Sequence, residues 1–214
     1  WMNVIIPYRE VSERCKFKNT RDFNDGKSLL EVTIEHLDKE VVSLACVPTE
    51  SAIYRAKAFG VNSIALSEHT LTGNWSNLAL DIVSNIDYQE PICFMFCTNP
   101  VFFRFNDIKE TLLVAEENVR NGSGSAMVVY PLRHYILDDK MQGVNHGQGF
   151  WHRYSQDLPQ WYINPWVLIV TTVQAVKKYG YWYTPDVKPI YANGPCIDID
   201  TEEDFQLAKK IYSI

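Results

Sequence analysis

The sequence has no excess of basic residues. Its 214 residues include 20 lysines and arginines against 26 aspartates and glutamates, which gives a formal charge of −6 at pH 7. A protein that binds nucleic acid usually presents a broad basic surface, and this composition does not supply one. Any affinity for a polyanion must therefore come from a local cluster of cations.

Long apolar runs are also missing. The longest ones are far shorter than the roughly 20 residues that a membrane-spanning helix needs, and no secretory leader is recognisable. The sequence therefore predicts a cytoplasmic protein that does not span a membrane. With 46% hydrophobic residues, a chain of this length can form one well-buried core, so a single domain over 1–214 is expected.

Cysteine and histidine are few and scattered. The five cysteines are an odd number at irregular spacings, and Cys93 and Cys97 have no second pair to complete a zinc site. The five histidines show no H-x-x-x-H spacing. Free structural thiols are therefore expected, and neither a disulfide framework nor a zinc site is.

What the sequence does contain is an alternation of short apolar runs and amphipathic stretches. Continuous apolar runs are typical of strands that are buried on both faces of a parallel sheet. They are Asn3–Pro7, Val41–Val47, Val61–Leu66, Pro91–Cys97 and Ala126–Tyr130. This rhythm predicts a three-layer α/β fold with a mostly parallel sheet.

Local signals place helices between and after these runs. Ser28-x-x-Glu31 and Thr201-x-x-Asp204 have the spacing of helix-initiating capping boxes. Gly60 is placed to end a helix that begins near Ser51. Residues 132–165 differ, because they are rich in glycine, histidine, glutamine and aromatics without periodicity. We interpret this stretch as an arm or flap inserted into the domain.

A polar loop directly follows the first apolar run. It contains Arg9, Ser12, Arg14, Lys18 and Asn19. In open α/β sheets, ligands bind outside the carboxyl ends of the strands, so this loop is placed to meet one. Arginine and lysine neutralise phosphate charge, while serine and asparagine supply neutral donors. The alternative is an ordinary solvated basic loop, and residue types alone do not decide between them.

Two carboxylates stand close together near the other end of the chain. Asp198 and Asp200 alternate with isoleucines, so on a strand both carboxylates face one side. Such a pair repels unless it is protonated or bridged by a cation, and Mg²⁺ prefers oxygen ligands of this kind. The alternative is that Asp200 merely caps the last helix beside Thr201.

The ordered set of short motifs resembles the acylneuraminate cytidylyltransferases. Ile6-Pro7-Tyr8-Arg9-x-x-Ser12-x-Arg14-x-x-x-Lys18-Asn19 is similar to that family's IPAR-x-x-SKR-x-x-x-KN signature. Thr98-Asn99-Pro100 is similar to its TSP, and Gln156-Asp157-Leu158-Pro159 with Asn164 to its QDLP and NGA stretch. Ile197–Thr201 is similar to its closing IDIDT. The order and spacing hold across nearly the whole chain.

This resemblance implies a nucleotidyltransferase Rossmann-like fold and a homodimer in which the arm of one subunit lies over the site of the other. The implied reaction transfers CMP from CTP to a sialic-acid-like 2-keto sugar acid. Arg9, Lys18 and Asp200 would be catalytic, and Asp198 and Asp200 would hold Mg²⁺. The implied nucleotide-binding residues are Arg9, Ser12, Arg14, Lys18, Asn19 and Thr98. Those for the acceptor are Arg153, Gln156 and Asn164.

The sequence also departs from the family pattern. Tyr8 stands where the signature has alanine, Glu13 where it has lysine, and Phe96 where it has glutamine. The arginine expected after the third strand aligns with Leu66 or Ser67. These departures leave open a nucleotide-binding protein that has lost turnover. A cytidylyltransferase for an eight-carbon acid or a bacterial sialic acid analogue also stays open, as does a glycosyltransferase that uses Asp198-x-Asp200 as a metal-binding DxD.

Overall fold

The protein is described by a computed structural model that covers residues 2–10, 12–67, 74–87 and 90–214. Its central feature is a mixed sheet. The strands are β1 (Asn3–Pro7), β2 (Val42–Cys46), β3 (Asn62–Ala65), β4 (Ile92–Met95), β5 (Ser125–Leu132), β6 (Trp161–Ile163), β7 (Leu168–Thr171) and β8 (Lys188–Tyr191). The helices are α1 (Leu29–Glu35), α2 (Glu50–Phe59), α3 (Trp75–Ser84), α4 (Pro100–Phe105), α5 (Ile108–Arg120), α6 (Val173–Tyr179) and α7 (Glu202–Tyr212).

The sheet has the strand order β3-β2-β1-β4-β7-β5-β6, and β8 also pairs with β5. Strands β3, β2, β1 and β4 are parallel, and β8 is parallel to β5. The α/β fold and the mostly parallel sheet are thus confirmed. The alternation does not predict β7, which runs antiparallel between β4 and β5.

Helices cover both faces of the sheet, which makes the predicted three layers. On one face, Ile6 and Leu44 pack in a core with Leu30 of α1 and Ala115 of α5. On the other face, Ile5 and Phe94 pack with helices α3 and α6. Because successive strand residues point to opposite faces, Val4 and Ile6 of β1 join the first core and Ile5 joins the second.

The predicted helix ends are confirmed. Ser28 and Glu31 form a reciprocal capping box at the start of α1, and Thr201 and Asp204 form another at the start of α7. Gly60 ends α2 with φ of 70°, a left-handed conformation that glycine adopts without strain. Of the five cysteines, none forms a disulfide. Among the described residues, no helix has the length and apolar character of a membrane span.

The stretch 132–165 extends beyond the regular part of β5. It contains β6 and two short 3₁₀ turns, Gly149–Trp151 and Ser155–Asp157. Its internal packing includes the Tyr135 ring, which stacks on His152 with centroids 4.9 Å apart. Several of its large apolar side chains face solvent, and Phe150 is fully exposed. An inserted arm fits this description, and its role in a dimer stays a prediction.

Candidate functional site

A cavity of about 560 Å³ opens where several parallel strands end. Pro7 at the end of β1, Ala45 in β2 and Phe96 just after β4 all lie on its wall. Strand β1 lies between β2 and β4, so the strands that follow it in the sequence are added first on one side of it and then on the other. Such a reversal of strand order is where ligands bind in open α/β sheets.

The two segments singled out from the sequence meet at this cavity. The polar residues on its wall are Arg9, Ser12, Glu13, Arg14, Lys18, Asn19, Asn74, Thr98, Asp198 and Asp200. The polar loop and the carboxylate pair, about 180 positions apart in the sequence, therefore face the same space. The binding and catalytic roles assigned to these residues stay predictions.

Asn19, at the end of the polar loop, is hydrogen-bonded to Arg9 at its start. Its side-chain Nδ2 donates to the carbonyl oxygen of Arg9 at 2.9 Å, and its Oδ1 lies 3.5 Å from the Sγ of Cys97. Asn19 is almost fully buried. A buried amide with these partners fixes the loop against the end of β4, so the nine residues between Arg9 and Asn19 start and finish at fixed points.

Lys18 connects the loop to the carboxylate segment. Its Nζ donates to the carbonyl oxygen of Ile199 and lies 3.5 Å from Oδ1 of Asp200. Only 12% of its side chain is exposed. A largely buried ammonium group must be compensated by hydrogen bonds and by negative charge, and this one has both. Lys18 therefore holds a positive charge at the cavity wall.

Arg14 also reaches Asp200, with its Nη2 2.9 Å from Oδ1. In contrast to Lys18, its side chain is 70% exposed. An exposed ion pair of this kind contributes little to stability, about 0–1 kcal/mol. Arg14 can therefore exchange Asp200 for a phosphate oxygen at small cost.

Asp198 is bound from the other side by Thr98, whose Oγ1 donates to Oδ1 of Asp198 at 2.6 Å. The backbone joins the same two segments, since Ile199 donates to the carbonyl oxygen of Thr98 at 2.9 Å. Burial raises the pKa of Asp198, and the charge of Asp200 raises it further, while the hydrogen bond from Thr98 and the charge of Lys18 lower it. A cation between the two carboxylates would relieve this cost.

Two expectations about the carboxylate segment need correction. Residues 197–200 form no strand, although Ile199 is fully buried and both carboxylates line the cavity as the alternation predicts. The idea that Asp200 caps the last helix is wrong. The N-cap of α7 is Thr201, and the carboxylate that accepts from the Asp200 and Thr201 backbones belongs to Asp204. The Asp200 side chain is thus available to the cavity.

The chemistry of this donor set fits Mg²⁺. This cation binds proteins through one or two carboxylates and completes its shell with water and substrate phosphate. Asp198 and Asp200 supply two such carboxylates on one wall. In the described ranges, no cluster of three or more histidine, cysteine, aspartate or glutamate side chains is placed to hold a metal by itself. Two carboxylates on the wall of a cavity fit a cation that also binds substrate phosphate.

Asn99 is a positioning residue that the sequence motifs do not single out by role. It is fully buried, its Nδ2 donates to the carbonyl oxygen of Pro165 at 3.0 Å, and its Oδ1 accepts from the backbone N–H of Ile197 at 3.0 Å. One side chain thus joins the end of β4, the Pro165 turn and the carboxylate segment. Its place directly after Thr98 is the only sequence signal for this role.

We expect Asn99→Ala to destabilise the protein and to displace the carboxylates. Leaving the Pro165 carbonyl and the Ile197 N–H without their partner costs on the order of 2–4 kcal/mol in the free energy of unfolding. Urea unfolding measures this loss. Asn193→Ala, at an exposed position, is the matched control and should be neutral. Equal stability of the two variants would contradict the positioning role.

The residues predicted for the acceptor lie elsewhere. Arg153 and Gln156 are exposed, and neither lines the cavity of its own chain. Asn164 uses its Oδ1 to accept from the backbone N–H of Trp166 at 2.9 Å, which shapes the turn beside the cavity. The predicted role of Arg153 and Gln156 requires the arm of another copy of the chain, and the roles of all three residues stay predictions.

One side of the cavity is apolar. Leu66, Leu78, Phe96 and Trp166 line it, and the Phe96 and Trp166 rings meet edge to face with centroids 5.6 Å apart. Leu66 and Phe96 are two of the positions at which the sequence departs from the cytidylyltransferase pattern. The structure places both departures on the cavity wall, so they alter the surface that a ligand meets.

Of the five scattered histidines, His69 lies outside the described residues.

Comparison with known proteins connects this chain to others through structure alone. No protein-family model matches the sequence, and no curated protein matches it. Among solved structures, a CMP-2-keto-3-deoxy-manno-octonic acid synthetase complexed with CTP has a TM-score of 0.68 at 11% identity, over 99% of this chain and 98% of the other. A 4-diphosphocytidyl-2C-methyl-D-erythritol synthase from Anaerococcus prevotii has a TM-score of 0.66 at 14% identity, over 100% and 96%.

A third neighbour is the molybdopterin-guanine dinucleotide biosynthesis protein A from Archaeoglobus fulgidus. Its TM-score is 0.59 at 12% identity, over 99% of each chain. At identities this low, the likeness shows a shared fold and does not by itself establish a substrate. The near-complete coverage in all three cases shows that the chain shares the α/β fold of these three proteins over nearly its whole length.

Proposed function

We propose that this protein is a nucleotidyltransferase that transfers CMP from CTP to a sialic-acid-like 2-keto sugar acid and releases pyrophosphate. One observation carries the proposal. Lys18 and Arg14 from the polar loop converge on Asp200, beside Asp198, in a cavity at the carboxyl ends of parallel strands. This arrangement combines phosphate-binding cations with carboxylates that suit Mg²⁺.

In the proposed reaction, a hydroxyl oxygen of the acceptor attacks the α-phosphorus of CTP. A new P–O bond forms as the hydroxyl proton passes to solvent, the bond between the α-phosphorus and the bridging oxygen breaks, and pyrophosphate leaves with the electron pair. Lys18 and Arg14 offset the negative charge that develops on the pyrophosphate. Arg9 and Ser12 line the same cavity and would hold the remaining phosphate oxygens.

Asp198 and Asp200 would hold Mg²⁺, which when bound supplies positive charge to the phosphates. Thr98 keeps Asp198 in place for this task through its 2.6 Å hydrogen bond. Since Asp200 is paired with Arg14 and Lys18 in the ligand-free chain, binding requires an exchange of partners. Arg14 and Lys18 would then pair with phosphate oxygens and Asp200 with the metal ion, so that every charge in the site keeps a partner of opposite sign.

The choice of CTP rests on the sequence motifs and on two structural neighbours. One is a synthetase of a CMP-linked octonic acid with CTP bound, and the other is a diphosphocytidyl-methylerythritol synthase. The choice of a keto sugar acid rests on the motif resemblance alone. Arg153, Gln156 and Asn164 are assigned to this acceptor in the proposal, and the arm of a second subunit would bring Arg153 and Gln156 to it.

Pyrophosphate release tests the function directly. The protein is incubated with CTP, Mg²⁺ and a panel of eight- and nine-carbon keto acids, with ATP, GTP and UTP in parallel. Release that requires CTP and one of the acids is the expected result. CTP binding without release with any acid would favour a nucleotide-binding protein without turnover. Activity only with a nucleotide sugar as donor would favour the DxD glycosyltransferase.

The proposed homodimer is tested separately by the mass in solution. The arm carries exposed apolar side chains, with Phe150 fully exposed and Met141 66% exposed. We expect a dimer by light scattering and a monomer for Phe150→Glu, because a buried charge at an apolar interface is costly. Leu113→Glu, on the 57% exposed Leu113 of α5, is the matched control and should stay dimeric. A monomeric native protein would contradict the dimer.

A further inference from the structure

Tyr8 is a buried residue whose hydroxyl has no hydrogen-bond partner among the described residues. It follows Pro7 at the end of β1 and is 2% exposed. Its backbone N–H donates to the carbonyl oxygen of Ala45 at 2.8 Å, so its position on the sheet edge is fixed. Its hydroxyl is buried and makes no hydrogen bond to any described residue, and yet Tyr8 lines the cavity.

Packing does not require this hydroxyl. Tyr8 belongs to the core that also contains Ile6, Leu44 and Ala52, and a phenylalanine would supply the same ring there. Burying a hydroxyl without a hydrogen bond is unfavourable. The fold itself does not offset this cost at Tyr8, and a buried polar group left unsatisfied in a native structure calls for an explanation such as a functional role.

The charges around Tyr8 indicate which part of a nucleotide it meets. The charged groups that act on it are Arg55 and Glu10, whose Nε and Oε1 lie 3.4 Å apart and compensate each other. Glu10 also accepts hydrogen bonds from the hydroxyls of Ser51 and Thr49. In contrast, the cations Lys18 and Arg14 gather around Asp200. Of the two charged groups that act on the Tyr8 hydroxyl, the cation is therefore already paired with a carboxylate.

We propose that the Tyr8 hydroxyl donates a hydrogen bond to the uncharged nucleoside part of the substrate, while Lys18 and Arg14 take its phosphates. Tyr8 is then a specificity-determining residue of the cavity. The assignment rests on the proposed nucleotide-binding function and adds to it a contact at a position where the cytidylyltransferase signature has alanine. Burial, together with Glu10, raises the pKa of the hydroxyl above its usual range although Arg55 opposes this shift, so the group remains a donor.

Tyr8→Phe separates this inference from the function on which it rests. Isothermal titration calorimetry with Mg²⁺ measures binding of CTP, cytidine and pyrophosphate to the native protein and to the variant. We expect affinity for CTP and cytidine to fall about 3- to 10-fold, the effect of one neutral hydrogen bond. Affinity for pyrophosphate should be unchanged. The melting temperature of the ligand-free variant should equal or exceed that of the native protein, because an unpaired buried group is removed.

Tyr54→Phe is the matched control, since Tyr54 is 72% exposed on α2, and it should change none of these values. Equal CTP and cytidine affinities for Tyr8→Phe and the native protein would overturn the inference while leaving the proposed function intact. An equal loss for pyrophosphate would also overturn it, because the hydroxyl would then act on phosphate. A native protein that binds neither CTP nor cytidine would overturn both proposals together.

Discussion

Asp200→Asn is expected to lower the rate of CMP transfer by a factor on the order of 10²–10³ while leaving the free energy of unfolding close to that of the native protein. Catalysis falls because a neutral amide is a poor ligand for Mg²⁺ and leaves developing phosphate charge less well balanced. Stability changes little, because the Asp200 side chain is 43% exposed, its pair with Arg14 is a surface ion pair, and the buried Lys18 keeps its hydrogen bond to the Ile199 carbonyl oxygen. Initial rates of pyrophosphate release and urea unfolding measure the two quantities.

Glu203→Gln provides the matched control for Asp200→Asn. Glu203 is an exposed carboxylate in the first turn of α7, three positions further along the chain and outside the cavity. Its amide variant removes the same charge from the same region and should retain native activity. If both variants turned over at the native rate, Asp200 would have no part in metal binding.

Lys18→Ala is expected to weaken CTP binding about 10- to 100-fold and CMP binding much less. Hydrogen bonds to charged groups contribute about 1.5–3 kcal/mol, which corresponds to this range of affinity. The selective loss follows from the assignment of Lys18 to the outer phosphates, which CMP lacks. Calorimetric titration of both nucleotides with Mg²⁺ measures the difference.

The control for this variant is Lys16→Ala. Lys16 is an exposed lysine two positions earlier that does not line the cavity. Lys16→Ala removes one positive charge two positions away from Lys18, so its long-range electrostatic effect matches that of Lys18→Ala. Similar losses of CTP and CMP affinity for Lys18→Ala would show that Lys18 does not address the outer phosphates. Similar effects of both lysine variants would show that only overall charge matters.

The parts of the fold that the sequence predicts are those governed by local rules. The apolar runs that become β1, β2 and β4 are continuous because the strands are buried on both faces. The capping box at Ser28 and the left-handed Gly60 depend on neighbours within a few residues. Such signals can be read before any tertiary contact is known.

The parts that the sequence does not predict depend on distant partners. Strand β7 runs antiparallel because it pairs with β4 and β5, and nothing within Leu168–Thr171 sets that direction. Strand β8, with its lysine and proline, lacks an apolar pattern and forms through parallel pairing with β5. Helix α4 is only six residues long and rich in phenylalanine, a composition equally typical of a strand.

The candidate site likewise has features that the sequence predicts and features that it does not. Residue types indicate a cation cluster and a carboxylate pair, and topology brings both to one cavity. Three features depend on the folded arrangement and cannot be inferred from residue types. They are the contacts of Asn99, the unpartnered hydroxyl of Tyr8, and the pairing of Arg14 and Lys18 with Asp200. The exposed positions of Arg153 and Gln156 likewise follow from the course of the arm, which no local pattern specifies.

A crystal structure with CTP and Mn²⁺ in place of Mg²⁺ tests most directly whether the polar loop and the carboxylate pair enclose one polyphosphate. We expect the anomalous signal of Mn²⁺ between Asp198 and Asp200, with the triphosphate against Lys18 and Arg14. A nucleotide bound away from this cavity, or a metal held without either aspartate, would contradict the account.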